Sequence, residues 1–164
     1  MTYVAFVRDL CDQRGIKLAF QIDDLSAGDP LSRVEEVRRR VAQKERAKAA
    51  FAFKFLIIDY DQCQLDTNRA QRAKTLAAQS GLIIIWQRPC HEGFLLRHFA
   101  GHQQDDPQSC DLADQALKHP WPEYAKPMEK RDLARRLDSQ ALDRAAAVEP
   151  QLAAFLAAIG WSSI

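Results

Sequence analysis

Phe53-Lys54-Phe55-Leu56-Ile57-Ile58-Asp59-Tyr60-Asp61 is the stretch that decides how this chain folds. Apolar, aromatic and β-branched residues run up to Ile58, and then two acids follow one residue apart. The run predicts a buried strand over residues 53–58. Alternate side chains of an extended backbone share a face, so Asp59 and Asp61 are expected to point the same way at the strand's carboxyl end. Open α/β sheets place their ligands at that end. Two convergent carboxylates need a cation nearby to stay ionised, and a hard divalent ion such as Mg²⁺ is the natural companion. The plainer alternative is a strand followed by a turn in which both acids are solvated.

Working outward, Leu82-Ile83-Ile84-Ile85-Trp86 reads as a second buried strand, and Pro89 ends the run. Residues 17–22 read as a third strand. Between these lie helical patterns. Residues 3–14 carry Val4, Val7 and Cys11 on one stripe, and Gly15 stops them. Asp29 and Pro30 provide an N-cap and a first helical residue for a helix running to about Ala50. Residues 66–80 form another helix, closed by Gly81. Strands alternating with helices predict a parallel sheet with covering helices. Beyond it, helices are expected over residues 92–99, 111–118, 126–137 and 139–158, with a polar loop over 101–109. The α/β core thus spans residues 1–100 and a mostly helical extension spans 101–164, within a single domain.

The chain has 164 residues, 47% of them hydrophobic, which is enough for a real core. Its formal net charge of +1 gives no global nucleic-acid footprint, so any basic surface must be local. The basic run Arg38, Arg39, Arg40, Lys44, Arg46 and Lys48 is interleaved with Glu35, Glu36 and Glu45. By itself such a run reads as a solvated helix face. No apolar run is long enough to span a bilayer, and no secretory signal core is present. Cys11, Cys63, Cys90 and Cys110 are scattered and lack Cys-x-x-Cys spacing, the usage of reduced thiols in a cytoplasmic protein.

Three blocks together carry a family resemblance. Gly28-Asp29-Pro30-Leu31 opens a helix, and Leu56-Ile57-Ile58-Asp59-Tyr60-Asp61 follows. The third block is Arg88-Pro89-Cys90-His91-Glu92-Gly93-Phe94-Leu95-Leu96-Arg97-His98-Phe99. With Tyr124-x-Lys126 after them, the chain resembles the RloB-like family over nearly its whole length. The Pro-Cys-x-Glu-x-x-Leu-Leu-x-His-Phe pattern is the specific part. The resemblance implies a three-layer Toprim-like parallel sheet with helices on both faces and a helical C-terminal extension. It also implies a bacterial phage-defence or restriction-linked setting, often beside an ATPase partner. The implied chemistry is Mg²⁺-dependent, or Mn²⁺-dependent, action on nucleic-acid phosphodiesters. Asp59 and Asp61 would hold the metal, with Glu92 as the third catalytic acid. Lys126 and His98 would contact substrate.

The start departs from the family pattern. Met1-Thr2-Tyr3-Val4 resembles only the segment from Thr onward, with Tyr3 in the place of a glutamate. The family's first strand and its Glu-Gly are missing, so catalysis is expected to be impaired. An unpaired sheet edge is expected to leave the chain marginally stable, to favour a homodimer, or to pair residues 17–22 directly with 53–58.

Each residue also has a plainer reading. Glu92 can be an acid at a helix start, favoured there by the macrodipole. His98 can be a histidine packed on an apolar face, the better of its two readings, and His91 is expected to be partly exposed. Cys90, His98, His102 and Cys110 make a poor zinc set, because Gly101 interrupts the helix and the spacings are long. Lys126 can be an ordinary surface lysine. Two function classes remain: a metal-dependent nuclease-like enzyme, and a non-catalytic subunit that binds nucleic acid or a partner ATPase.

Overall fold

The computed structural model describes residues 2–25, 28–47, 50–61 and 66–162. The chain divides into two compact units, one of Leu25–Arg88 and one assembled from Met1–Asp24 and Pro89–Ile164.

Leu25–Arg88 is a βαβ unit preceded by a helix. Helix α2 spans Pro30–Ala47, strand β1 Lys54–Asp59, helix α3 Thr67–Gln79 and strand β2 Leu82–Gln87. The two strands pair in parallel, Lys54 opposite Leu82 and Asp59 opposite Gln87. Parallel pairing requires a crossover, and α3 supplies it. The caps are those the sequence announced. The Asp29 carboxylate accepts from Leu31 N at 3.0 Å, ahead of Pro30. The Asp66 carboxylate accepts from Arg69 N at 2.9 Å. Gly81, at φ +61, makes the left-handed turn out of α3. One apolar cluster joins Leu31 and Val34 of α2, Ala70, Ala73 and Ala77 of α3, and Leu56, Ile58, Leu82, Ile84 and Trp86 of the strands. Both helices therefore cover the same sheet face, and the alanines let α3 approach it closely.

The expected third strand is a correction. Among the described residues the sheet has two strands, and residues 17–22 enter no ladder. Lys17, Leu18, Ala19 and Gln21 are all exposed, with Leu18 at 43%, and Phe20 and Ile22 are only half-buried, so neither face of the segment is fully covered. Alternation without burial does not make a strand.

The second unit is helical. Helix α1 spans Thr2–Gln13, α4 His91–Leu96, α5 Cys110–Leu117, α6 Lys130–Arg136, α7 Ser139–Ala146 and α8 Pro150–Ala158. α1 ends at Gly15, φ +72, and packs against α6. α4 is shorter than expected. Its end tightens into i→i+3 bonds, His98 N to Leu95 O and Phe99 N to Leu96 O, both 3.0 Å. The helix expected over 126–137 begins only after Glu129, whose N–H donates to Asp132 Oδ2 at 2.8 Å. The helix expected over 139–158 is two helices. Pro150 forces Glu149 into extended backbone (φ −115, ψ 91) and starts α8. Cys11, Cys90 and Cys110 form no disulfide among the described residues, and Cys63 lies outside them. No helix is long and apolar enough to cross a membrane among the described residues.

Candidate functional site

The carboxyl edge of the β1–β2 pair gathers polar and aromatic groups from one unit. β1 ends at Asp59, and the chain bends at Tyr60, whose N–H still donates to Gln87 O at 2.9 Å. Asp61 thus lies beyond the strand, and strand alternation does not set its direction. Asp59 and Asp61 are both half-buried, and the Oδ1 atom of each is shielded from solvent. The Tyr60 ring meets Trp86 edge-on, with centroids 5.8 Å apart. Two cations sit over these rings. The Arg88 guanidinium is 4.5 Å from the Tyr60 centroid, and Lys74 Nζ is 5.9 Å from Tyr60 and 5.8 Å from Trp86.

α2 and α3 start side by side in the same unit. Arg69 of α3 grips Asp29 with both ends of its fork, Nε to Oδ1 at 3.1 Å and Nη2 to Oδ2 at 3.0 Å. The arginine is the main reason that the Asp29 carboxyl sits far below its ordinary range, and the Ser32 and Leu31 bonds assist.

Two carboxylates of hard oxygens suit a divalent ion that keeps most of its water, as Mg²⁺ does. Among the described residues no group of three His, Cys, Asp or Glu side chains comes together to hold a metal.

Glu92, the expected third acid, belongs to the helical unit and has its own partners there. It is 2% exposed at the start of α4. Its Oε1 accepts from Tyr124 Oη at 2.6 Å and lies 2.5 Å from Lys126 Nζ, and its Oε2 accepts from Cys90 Sγ at 3.0 Å. Burial alone would raise its pKa. The bonds from Lys126, Tyr124 and Cys90 outweigh burial and bring it down to about 2. Burial and the bond to Glu92 push the Cys90 thiol and the Tyr124 phenol well above their ordinary values. Both donate a hydrogen bond to Glu92.

The two expected substrate contacts lie in this unit too. Lys126 spends its ammonium on Glu92, which raises its pKa. His98 is fully buried. One ring nitrogen faces Tyr3 Oη at 2.7 Å and the other Phe94 O at 3.0 Å, and its backbone oxygen accepts from Arg144 at 2.9 Å. Burial lowers it to about 4, so it is neutral at pH 7. His91 is half-buried and is likewise lowered to about 4 by burial. His102 pairs with Asp105 at 2.7 Å.

Several of these participants were not singled out from sequence. Lys74 and Arg88 over Tyr60 and Trp86 give no spacing signal, because they converge from a helix, two strand ends and a turn. Tyr124 and Cys90 as donors to Glu92 had a faint one, the Tyr-x-Lys and Cys-x-Glu spacings. Compared with protein-family models, with curated proteins and with solved structures, the chain finds no match.

Proposed function

We propose that Leu25–Arg88 holds a hydrated Mg²⁺ or Mn²⁺ on Asp59 and Asp61 and through it engages the phosphates of nucleic acid. This would be the chemistry of a Toprim-like core in an RloB-like phage-defence protein. The observation that carries the reading is the place of the two carboxylates. Asp59 ends a parallel strand and Asp61 stands two residues beyond it, both half-buried, within a βαβ unit. A bound ion would neutralise phosphate charge there. Titration of the whole protein with Mn²⁺ tests it. Weak binding should be lost in Asp59→Asn and weakened in Asp61→Asn. Equal affinity in wild type and Asp59→Asn removes the reading.

The second reading is a non-catalytic subunit that binds nucleic acid or a partner ATPase. The engagement of Glu92 by Lys126, Tyr124 and Cys90 favours it, because a carboxylate so held is not a ready proton carrier. Incubation with single- and double-stranded DNA and RNA in Mg²⁺ or Mn²⁺ separates the two. Cleavage abolished by Asp59→Asn supports the enzyme, and binding without cleavage supports the subunit.

A further inference from the structure

The near-neutral charge of the whole chain hides a division between its two units. Leu25–Arg88 contains twelve Lys and Arg against seven Asp and Glu, a net +5. The other unit contains eleven against fifteen, a net −4. Neither the overall charge nor the run of charges along α2 reveals this.

The acids that break the basic run on α2 are largely turned to fixed partners. Glu36 lies 2.5 Å from Arg40 Nη2. Glu45 takes Lys54 Nζ at 3.3 Å and the N–H of Phe51 at 3.1 Å. Glu35 is the acid left exposed beside the arginines. Arg38, Arg39 and Arg46 on α2 and Arg72 on α3 are all exposed. Among the described residues these four enter no ion pair. Arg39 and Arg46 are two turns apart on one stripe, about 10 Å along the axis, with Arg38 next to the first.

From this we infer that the side of α2 that carries Arg38, Arg39 and Arg46 is a docking surface for the phosphate backbone of a nucleic acid. It is separate from Asp59 and Asp61. The exposed cations are arginines, whose planar forks match phosphate oxygens. A membrane is the poorer match, because the apolar residues Leu31 and Val34 of α2 are spent on the core and leave none to insert into lipid. The surface reads backbone charge and not bases, so binding is independent of sequence. The inference deepens the nucleic-acid reading above but does not depend on a metal.

The test is binding of a fluorescein-labelled 20-nucleotide single strand to the whole protein in EDTA, measured by anisotropy across a salt series. Wild type should bind, and binding should weaken steeply with salt. In the triple variant Arg38→Gln/Arg39→Gln/Arg46→Gln, affinity should fall at least tenfold. The slope of log K against log salt should shrink by about two, as expected when three phosphate contacts of a single strand are lost. The charge-keeping variant Arg38→Lys/Arg39→Lys/Arg46→Lys should retain most binding, which separates lost charge from a damaged helix. Asp59→Asn should bind as wild type in EDTA, so failure of the metal reading leaves this inference standing. No binding by wild type, an unchanged slope in the glutamine variant, or equal loss in Arg131→Gln/Arg135→Gln of the acidic unit would overturn it. Preference for anionic vesicles over the oligonucleotide would do the same.

Discussion

Lys126 Nζ lies 2.5 Å from Glu92 Oε1, joining a side chain that is 63% exposed to a carboxylate that is 2% exposed. The lysine crosses from solvent to a buried charge and closes over it. Tyr124, two residues earlier, bonds the same oxygen. The turn that follows α5 is thereby fixed to the start of α4 by two contacts.

Removing Glu92 should therefore damage the fold more than removing Lys126. Glu92→Ala leaves the Tyr124 hydroxyl buried without an acceptor and should cost about 2–4 kcal/mol in urea unfolding. Lys126→Met, with the partner still bonded by Tyr124 and Cys90, should cost less. The carboxyl is held at about 2 against an ordinary 4.5, so its stabilisation is complete above pH 4.5 and is lost as pH falls towards 2. Acid unfolding followed by circular dichroism should show that dependence in wild type and not in Glu92→Gln.

His98 gives a dependence in a different window. Its folded value of about 4 lies below the ordinary 6.5, so the unfolded chain binds the proton first. Stability should be full above pH 6.5 and decline as pH falls to about 4. His91 is lowered to about 4 as well and shares the window. His98→Gln and His91→Gln should each flatten part of the decline, and the double variant should remove most of it. Tyr3→Phe, which takes away the partner at 2.7 Å, should cost about 1 kcal/mol.

The bridge from Arg69 to Asp29 joins the first turns of α2 and α3. Asp29→Ala removes both this bridge and the cap of α2, and should cost about 1–2 kcal/mol. Arg69→Ala should cost less, since both side chains are more than a third exposed and water screens the pair. A double-mutant cycle in urea should return a small positive coupling. A coupling of zero would mean that the cap alone accounts for Asp29.

Ala73 is fully buried where α3 meets the sheet. Ala73→Leu should force the helix off the strands and cost about 1–3 kcal/mol, read as a lower urea midpoint. The same change at exposed Ala78 should be close to neutral.

The unit around β1 was legible because each of its signals is local. Asp29-Pro30, Asp66 and Gly81 mark helix ends within one turn, and the apolar runs at 53–58 and 82–86 match β1 and β2 to within a residue. Residues 17–22 misled because alternation reports propensity, whereas a strand needs a neighbour and a covered face. Pro150 is a visible break inside residues 139–158, and it divides the expected helix in two. That Asp59 ends β1 was legible from the apolar run before it, whereas Asp61 lies past the bend at Tyr60, where strand alternation no longer sets direction. That Glu92 is held by Tyr124 and Lys126 was not legible, because those contacts span more than thirty residues of loop and helix.

Helix α1 has a consequence for the order of events during synthesis. Tyr3 bonds to His98, 95 residues later, and α1 packs on α6. The ribosome emits α1 first, yet its partners emerge only after Leu25–Arg88 has been made. At typical elongation speeds of about 5–20 residues per second, α1 waits several seconds with Phe6 and Val7 uncovered. The basic unit, contiguous in sequence, can form during that wait. A nascent chain arrested after Arg88 should therefore protect α2 and α3 from protease while α1 is still cut.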